Sequence, residues 1–327
     1  MKRFRLLLIV LIAFTLIAAA CGDDDDDTQA SDDDSGASDD DAGGDDAIGV
    51  IDKPGTDHSV LAAPDDGDDD AAGVPGLVEE GKLIVATTGN FPPFTAIDPD
   101  TGDNIGYTID LAREVANRLG LELELPTVDF VAELEGLTQG LYDIADSGIW
   151  PTAERQESFA FSRPITSTGI VAQVRAGDSG TDGLADLTGL KAGGIQGSSQ
   201  EAYILDNADA LGYSEYLGFT GAGEGLLALK QGRVDALSQD TLVAGFASVN
   251  DPELGVAGPT VAAHPLSFAF RLDEESLRDA IDVVINEMIA DGTVAEIQKA
   301  WFNTCIPVPD DINQAGPYTV MPAGDCS

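Results

Sequence analysis

The sequence predicts an α/β fold with mostly parallel sheets, because strand-like and helix-like segments alternate from residue 77 onward. About 250 residues follow that point, enough for one large or two small hydrophobic cores. A second observation is an internal echo, in which residues 134–143 and 226–235 share Leu, Leu, Gln, Gly and Asp at the same spacing. Helix–glycine–strand units are common in α/β proteins, so the echo indicates either two similar lobes or a coincidence.

The individual elements follow from hydrophobic periodicity. Short apolar or alternating runs predict strands at 82–87, 121–125, 142–146, 190–195 and 234–238. Apolar residues at helical spacing predict helices at 110–119, 131–141, 199–210, 225–231 and 277–291. Gly120 directly after the first helix is typical of a helix C-terminus.

Two segments precede this globular region. Residues 1–20 combine a basic start with an apolar run shorter than the roughly 20 residues that span a bilayer, which predicts a signal peptide. Small residues lead directly into Cys21, as in a bacterial lipoprotein cleavage site, so we expect Cys21 to be lipidated; ordinary secretory cleavage after Ala20 is the alternative. Residues 21–76 are rich in Asp, Gly and Ala, which predicts a disordered tether above the membrane surface.

Composition excludes several classes of function. The net charge of −43 argues against nucleic acid as a partner. Cys305 and Cys326 remain once Cys21 is lipidated, and outside the membrane two such thiols are expected to pair. Only two histidines occur, and no nucleophile elbow or phosphate loop is found, so we expect no metal, no cofactor and no enzymatic activity.

Charged and helix-starting residues after predicted strands suggest a ligand site. Arg155 follows a strand-like run that ends at Gly148, and arginine suits bidentate capture of a carboxylate; a surface arginine is the alternative. The loop 193–200 (GGIQGSSQ) follows a strand and opens a helix, whose N–H groups can bind an anion. In the register of the echo, Gly148 corresponds to Asp240, which offers a carboxylate for a cation. The sequence therefore predicts a small zwitterionic ligand.

Seven segments occur in an order typical of one family: GKLIVATTGNFPPF, GYTIDLAREVANRLG, LTQGLYDIADSGIWPTAER, FAFSRPI, LADLTGLKAGGIQGSSQEAY, ALKQGRVDALSQD and MIADGTVAEIQKAWF. With them the chain resembles the polar amino-acid family of bacterial extracellular solute-binding proteins, the family 3 receptors of ABC importers. The resemblance implies a two-lobed periplasmic-binding-protein-like fold of type II, with lobe 1 at 77–166 plus 262–327 and lobe 2 at 167–261. It also implies a monomeric lipoprotein on the extracellular face of the cell membrane, which delivers ligand to a permease.

The resemblance also assigns a role to each site residue. Phe91 and Phe130 match apolar walls of the cleft, and Gly148 matches a backbone contact to the α-ammonium group. Arg155 matches the arginine that grips the α-carboxylate. The remaining matches lie in lobe 2, where Ser198 and Ser199 complete the carboxylate grip and Asp240 receives the α-ammonium group. Core positions for the two phenylalanines and a helix N-cap for Asp240 are the alternatives.

Three positions depart from the family pattern. Trp150 stands where Thr or Ser usually contacts the carboxylate, and it would complete an aromatic cage with Phe91 and Phe130, as in binders of ectoine-type compatible solutes; packing of Trp150 between the lobes is the alternative. Asp146 stands where an apolar or small residue is usual, and it is the carboxylate that a dehydratase-like enzyme on this scaffold would need. Thr88 replaces an acid that binders of basic amino acids commonly carry.

Overall fold

The computed structural model describes residues 73–177, 180–314 and 321–322, all within the unit Asp46–Ser327. The signal peptide at 1–20, Cys21, nearly all of the tether at 21–76 and Cys326 lie outside the described residues. Lipidation of Cys21 and the Cys305–Cys326 bridge therefore stay predictions. No helix in the described ranges is both long enough and apolar enough to cross a membrane.

Strands and helices alternate as expected. The strands are β1 (Lys82–Ala86), β2 (Asn90–Phe91), β3 (Thr95–Ile97), β4 (Asn104–Ile105), β5 (Glu122–Glu124), β6 (Ile144–Ile149), β7 (Phe159–Phe161), β8 (Thr166–Arg175), β9 (Lys191–Ile195), β10 (Glu215–Phe219), β11 (Ala236–Asp240), β12 (Leu254–Arg271), β13 (Thr304–Cys305) and β14 (Met321–Pro322). The helices are α1 (Tyr107–Leu119), α2 (Phe130–Thr138), α3 (Ser199–Asp206), α4 (Ala208–Leu211), α5 (Ala222–Lys230), α6 (Thr241–Asn250), α7 (Glu275–Ala290) and α8 (Thr293–Phe302).

The chain forms two lobes with the same strand order. Lobe 1 has the order β5-β1-β6-β12, in which β1 is parallel to both neighbours and β12 is antiparallel to β6. Lobe 2 has the order β10-β9-β11-β8, in which β9 is parallel to both neighbours and β8 is antiparallel to β11. The α/β class and the two lobes predicted from the sequence are confirmed.

The internal echo is a repeated structural unit. In lobe 1 the Asp143 carboxylate accepts a hydrogen bond from Ile84 N at 2.8 Å, and Asp143 N donates to Ile84 O at 2.8 Å. In lobe 2 the Asp235 carboxylate accepts from Lys191 N at 2.9 Å, and Asp235 N donates to Lys191 O at 2.7 Å. Each aspartate thus fixes the start of its central strand against the neighbouring strand.

Two long strands connect the lobes. β8 and β12 pair antiparallel from Leu254↔Arg175 to Leu266↔Thr166, with register shifts between Ala257 and Val261 and between Val261 and His264. Within these shifts Gly258 and Ala262 have positive φ values of 73° and 46°. An irregular ribbon of this kind can absorb backbone rotation, so it is the natural hinge between the lobes.

Large side chains fill the interior of both lobes. Phe94, Tyr107 and Phe268 are fully buried in lobe 1, where α1, α7 and α8 pack together. Ile170 and Leu187 are among the buried residues of lobe 2. Burial of one such side chain contributes roughly 1.5–3 kcal/mol, so this packing holds the strand ends that carry the site in place.

Candidate functional site

A cleft lies where the carboxyl ends of the central strands of both lobes meet. It holds about 420 Å³ of empty space, part of it open to solvent. The lining residues are Thr88, Asn90, Phe91, Phe130, Ser147, Gly148, Trp150, Arg155, Ile195, Ser198, Ser199, Gln200, Thr220 and Gly221.

Arg155 is the charged residue among those lining the cleft. It opens a 3₁₀ turn at Arg155–Glu157, and its guanidinium donates to Trp150 O at 3.2 Å and to Gly197 O of lobe 2 at 3.1 Å. Its Cζ lies 5.5 Å from the centre of the Phe130 ring. Burial lowers the pKa of Arg155 to about 10, so the group stays charged at neutral pH and can bind a carboxylate.

The start of α3 faces Arg155 from lobe 2. Ser198 is the N-cap of α3, and its Oγ accepts from Glu201 N at 3.0 Å. The hydroxyl of Ser199 is buried without a hydrogen-bond partner in the described structure. The helix start therefore offers free N–H groups and one unused hydroxyl beside the guanidinium, an arrangement suited to an anion.

Aromatic and glycine residues shape the wall of the cleft in lobe 1. Phe91 stacks on Phe94 at 5.7 Å between ring centres, and Phe130 begins α2. Gly148 has φ +69°, and a Cβ there would lie 3.6 Å from Phe91. The positive φ favours glycine, which lets β6 end with its backbone close to the ligand space.

Trp150 lines the cleft and also packs against the hinge. Its ring stacks on His264 of β12 at 4.9 Å between centres, and 3% of the residue is exposed. The indole Nε1 is buried without a hydrogen-bond partner in the described structure. The sequence left open whether Trp150 faces the ligand or packs between the lobes. In the structure the residue lines the cleft and its ring also packs on His264 of the connecting ribbon.

Asp240 ends β11 and begins α6. Its Oδ1 accepts from Thr168 Oγ1 at 2.8 Å and from Leu242 N at 2.8 Å, so it caps α6. Its Oδ2 is buried without a partner, and burial raises the pKa of this carboxyl to about 7. Asp240 is not among the lining residues of the cleft. The structure shows its role as the N-cap of α6, and only Oδ2 remains to accept a hydrogen bond from a ligand ammonium group.

Asp146 does not reach the cleft. It is fully buried on β6, one residue before the lining residue Ser147. The nearby Glu133 is also fully buried, and its Oε1 accepts from Asp146 N at 2.8 Å and Ser147 N at 3.1 Å. These two acids lie behind the binding surface rather than on it.

Sequence reasoning missed several residues that line the cleft. Asn90 of β2 meets Gly221 of lobe 2, where a Cβ would lie 2.5 Å from Asn90 Nδ2, and Thr220 lines the cleft beside them. The loop that holds Thr220 and Gly221 follows β10, a strand absent from the sequence prediction. Recognising β10 would have placed this loop at the carboxyl edge of the sheet.

Within the described ranges no group of three metal-ligating side chains occurs.

Comparison with known proteins finds similar sequences and folds among solute-binding proteins. The sequence model of the bacterial extracellular solute-binding proteins, family 3, matches residues 83–304. The L-cystine-binding protein TcyJ of Escherichia coli (strain K12) is 30% identical over 226 residues, which cover 68% of this chain and 84% of that protein.

Solved structures show the same likeness. An ancestral arginine-binding protein bound to glutamine is similar with a TM-score of 0.64 and 32% identity, over 68% of this chain and 99% of that one. The ancestral amino acid-binding protein AncCDT-1, a precursor of cyclohexadienyl dehydratase, is similar with a TM-score of 0.63 and 26% identity, over 68% of this chain and 96% of that one.

Proposed function

Because the chain belongs to the bacterial extracellular solute-binding proteins of family 3, we propose that it captures a neutral polar amino acid for an ABC importer. In this proposal Cys21 carries the lipid anchor, residues 21–76 form the tether, and the protein acts as a monomer that docks on a membrane permease. Ligand binding closes lobe 1 (77–166 and 262–327) over lobe 2 (167–261) about the β8–β12 ribbon.

One observation carries this proposal: Arg155 of lobe 1 and the start of α3 in lobe 2 flank the same cleft. The Arg155 guanidinium already reaches lobe 2 at Gly197 O, one residue before the N-cap Ser198. A carboxylate held between a guanidinium and a helix start bonds to both lobes at once. Contacts from both lobes favour the closed state over the open one, which is the physical basis of hinge closure.

The rest of the lining supports a neutral ligand side chain. No acid is found among the described lining residues, which include the neutral polar side chains of Thr88, Asn90 and Thr220. Thr88 Oγ1 lies 3.0 Å from Thr95 Oγ1, so the hydroxyl that replaces the usual acid is already satisfied. A lysine or arginine side chain would find no counter-charge there.

The geometry favours an amino acid over an ectoine-type solute. An aromatic cage needs ring faces turned toward the ligand cation. The Phe130 ring is approached by the Arg155 guanidinium, itself a cation, and Trp150 stacks on His264. Two of the three rings are therefore engaged with other groups.

A dehydratase-like function on this scaffold finds less support. It would need a general acid or base in contact with substrate. Asp146 is fully buried, and the lining of the cleft contains no acid, so no carboxyl is exposed in the cleft to act as general acid or base. Incubation with prephenate or arogenate is expected to yield no product, and measurable turnover would favour the enzyme instead.

A thermal-shift screen of the twenty amino acids, ectoine and betaine tests the proposed function. A ligand at 100 times its Kd stabilises the folded protein by about 2.7 kcal/mol, which corresponds to roughly 5–10 °C in a domain of this size. We expect shifts of this size with neutral polar amino acids such as L-glutamine, and none with L-lysine. A shift with ectoine alone, or with none of these compounds, would contradict the proposal.

Two substitutions of Trp150 separate its packing from ligand binding. Trp150→Thr removes the ring that stacks on His264, so we expect a loss of stability of about 3–5 kcal/mol in denaturant unfolding. Trp150→Phe keeps a six-membered ring there but removes the five-membered part of the indole and with it the Nε1 donor, which has no partner in the described structure. If Nε1 donates to the ligand carboxylate in place of the usual hydroxyl, Trp150→Phe will weaken L-glutamine binding about tenfold, with a smaller loss of stability than Trp150→Thr. Unchanged binding in Trp150→Phe would make Trp150 a packing residue only.

A further inference from the structure

Two carboxyl groups behind the cleft lack the donors that buried carboxylates need. Glu133 of α2 and Asp146 of β6 are both fully buried. Glu133 Oε1 accepts two backbone N–H bonds, but Glu133 Oε2 and both oxygens of Asp146 have no hydrogen-bond partner within the described structure. Three buried acceptor oxygens without a donor are costly, and two full charges there would be costlier still.

One proton would resolve this arrangement. Burial raises the pKa of both groups, that of Glu133 to about 7, and the charge of Glu133 raises the pKa of Asp146 further. A proton on Asp146 removes its charge, while Glu133 Oε1 keeps the two N–H donors that favour the ionised form of that carboxyl. Such a pair titrates as a unit.

The neighbours of the pair are hydroxyls and one arginine. Thr87, directly after β1, and Thr108 of α1 bring hydroxyls near Asp146, and Ser147 brings one near Glu133. Each opposes the rise in the pKa of the carboxyl it faces, although none forms a hydrogen bond of normal geometry with the three unpartnered oxygens. The strand beside β6 is β12, which contributes the uncharged residue Ala269 opposite Ala145. Arg155 is the charged group that acts on Glu133, and it favours the ionised form of that carboxyl.

We propose that Glu133 and Asp146 form a proton-binding site that holds one proton and sets the strength of carboxylate capture by Arg155. This inference rests on the proposed function, because its outcome is the affinity for an amino acid. Loss of the proton places a second negative charge behind Arg155, where it competes with the ligand carboxylate for the guanidinium. By linkage, binding of a carboxylate favours the protonated pair.

Asp146→Asn isolates this effect. The amide is close in size to a carboxyl and carries no charge, so the variant mimics the protonated pair at every pH. L-Glutamine is titrated into wild type and Asp146→Asn from pH 6 to pH 8.5. We expect the ratio of wild-type Kd to variant Kd to rise about tenfold, the change that one pKa unit of coupling produces. A ratio that stays constant with pH would overturn the link to ligand capture.

Asp143→Asn is the matched control. Asp143 precedes the same strand, but its oxygens are satisfied by Val78 N at 2.7 Å and Ile84 N at 2.8 Å. The ratio of wild-type Kd to Asp143→Asn Kd is expected to be independent of pH. A pH-dependent ratio equal to that of Asp146→Asn would show a general effect of removing acids, and would also overturn the link.

A ligand-free measurement separates this inference from the proposed function. Since the folded-state pKa of the pair lies above the unfolded value, its contribution to stability is present at low pH and lost as pH rises through the folded-state pKa. Asp146→Asn is therefore expected to gain stability relative to wild type between pH 5 and pH 8.5 without any amino acid present. If L-glutamine fails to bind but the stability gain of Asp146→Asn occurs, the proton site is supported and the proposed function is contradicted. A stability difference that does not change with pH would overturn the proton site itself.

Discussion

Arg155→Ala is expected to weaken amino-acid binding by about 2–5 kcal/mol, roughly 30-fold to several thousandfold, while the protein stays folded. The guanidinium is the charged group in the lining of the cleft, so its loss leaves the ligand carboxylate desolvated with only the start of α3 for a partner. Arg155 itself bonds to two backbone carbonyls and lies on a short 3₁₀ turn, so little of the fold depends on it.

Titration calorimetry with L-glutamine measures this loss, and Arg271→Ala is the control. Arg271 is also a partly buried arginine of lobe 1, but it donates to Tyr142 O at 2.7 Å and Gly76 O at 3.0 Å, and neither residue lines the cleft. Arg271→Ala should lower the free energy of unfolding and leave Kd unchanged. If Arg155→Ala bound L-glutamine as tightly as wild type, the carboxylate site would have to lie elsewhere.

Periodicity in the sequence was enough to predict the elements that repeat in the two lobes. The prediction of helix 110–119 agrees with α1, and the glycine after it adopts the left-handed conformation expected of a C-cap, with φ +65°. Strands 82–87 and 190–195 agree with β1 and β9, because each is a short apolar run that is buried on both faces. In such segments the local sequence alone is enough to predict the secondary structure.

The connecting ribbon could not be predicted from periodicity. β12 contains Pro259 and Pro265, which normally argue against a central strand, and its burial pattern is irregular across the hinge. α6 was expected only as an alternative, through an N-cap at Asp240, because its segment TLVAGFASVN carries no charge and has no clear apolar stripe. In both cases contacts between the lobes or with β8 stabilise an element that the local sequence does not mark.

The candidate site was predicted only where strands had been recognised. Gly148, Arg155, Ser198 and Ser199 follow predicted strands, and the structure brings all four to the cleft. Thr220 and Gly221 follow β10, which was not predicted. Asp146 stood out in the sequence as unusual, but Glu133 lies thirteen residues away on α2, and only the fold brings its carboxyl to the Asp146 backbone N–H.

Asp240→Asn is expected to weaken L-glutamine binding by about 2–5 kcal/mol without loss of stability. Asparagine is as good an N-cap as aspartate, so its oxygen can keep the bonds to Thr168 and Leu242 that begin α6. At the other oxygen the variant places an amide N–H donor where wild type has a buried acceptor without a partner in the described structure. An α-ammonium group that binds this acceptor would lose its counter-charge and meet a donor instead.

The pH dependence of binding gives Asp240→Asn a second readout. Burial raises the pKa of Asp240 to about 7, and an ammonium ligand favours its ionised form, so Asp240 strengthens binding as pH rises through 7. The ratio of variant Kd to wild-type Kd should therefore rise from pH 6 to pH 8. Asp235→Asn is the control, since Asp235 lies before the opposite end of β11 and bonds to Lys191 N at 2.9 Å. That variant should lose stability and bind L-glutamine normally. If Asp240→Asn also bound normally at every pH, Asp240 would be a helix cap alone, and the ammonium group would have to be held from lobe 1.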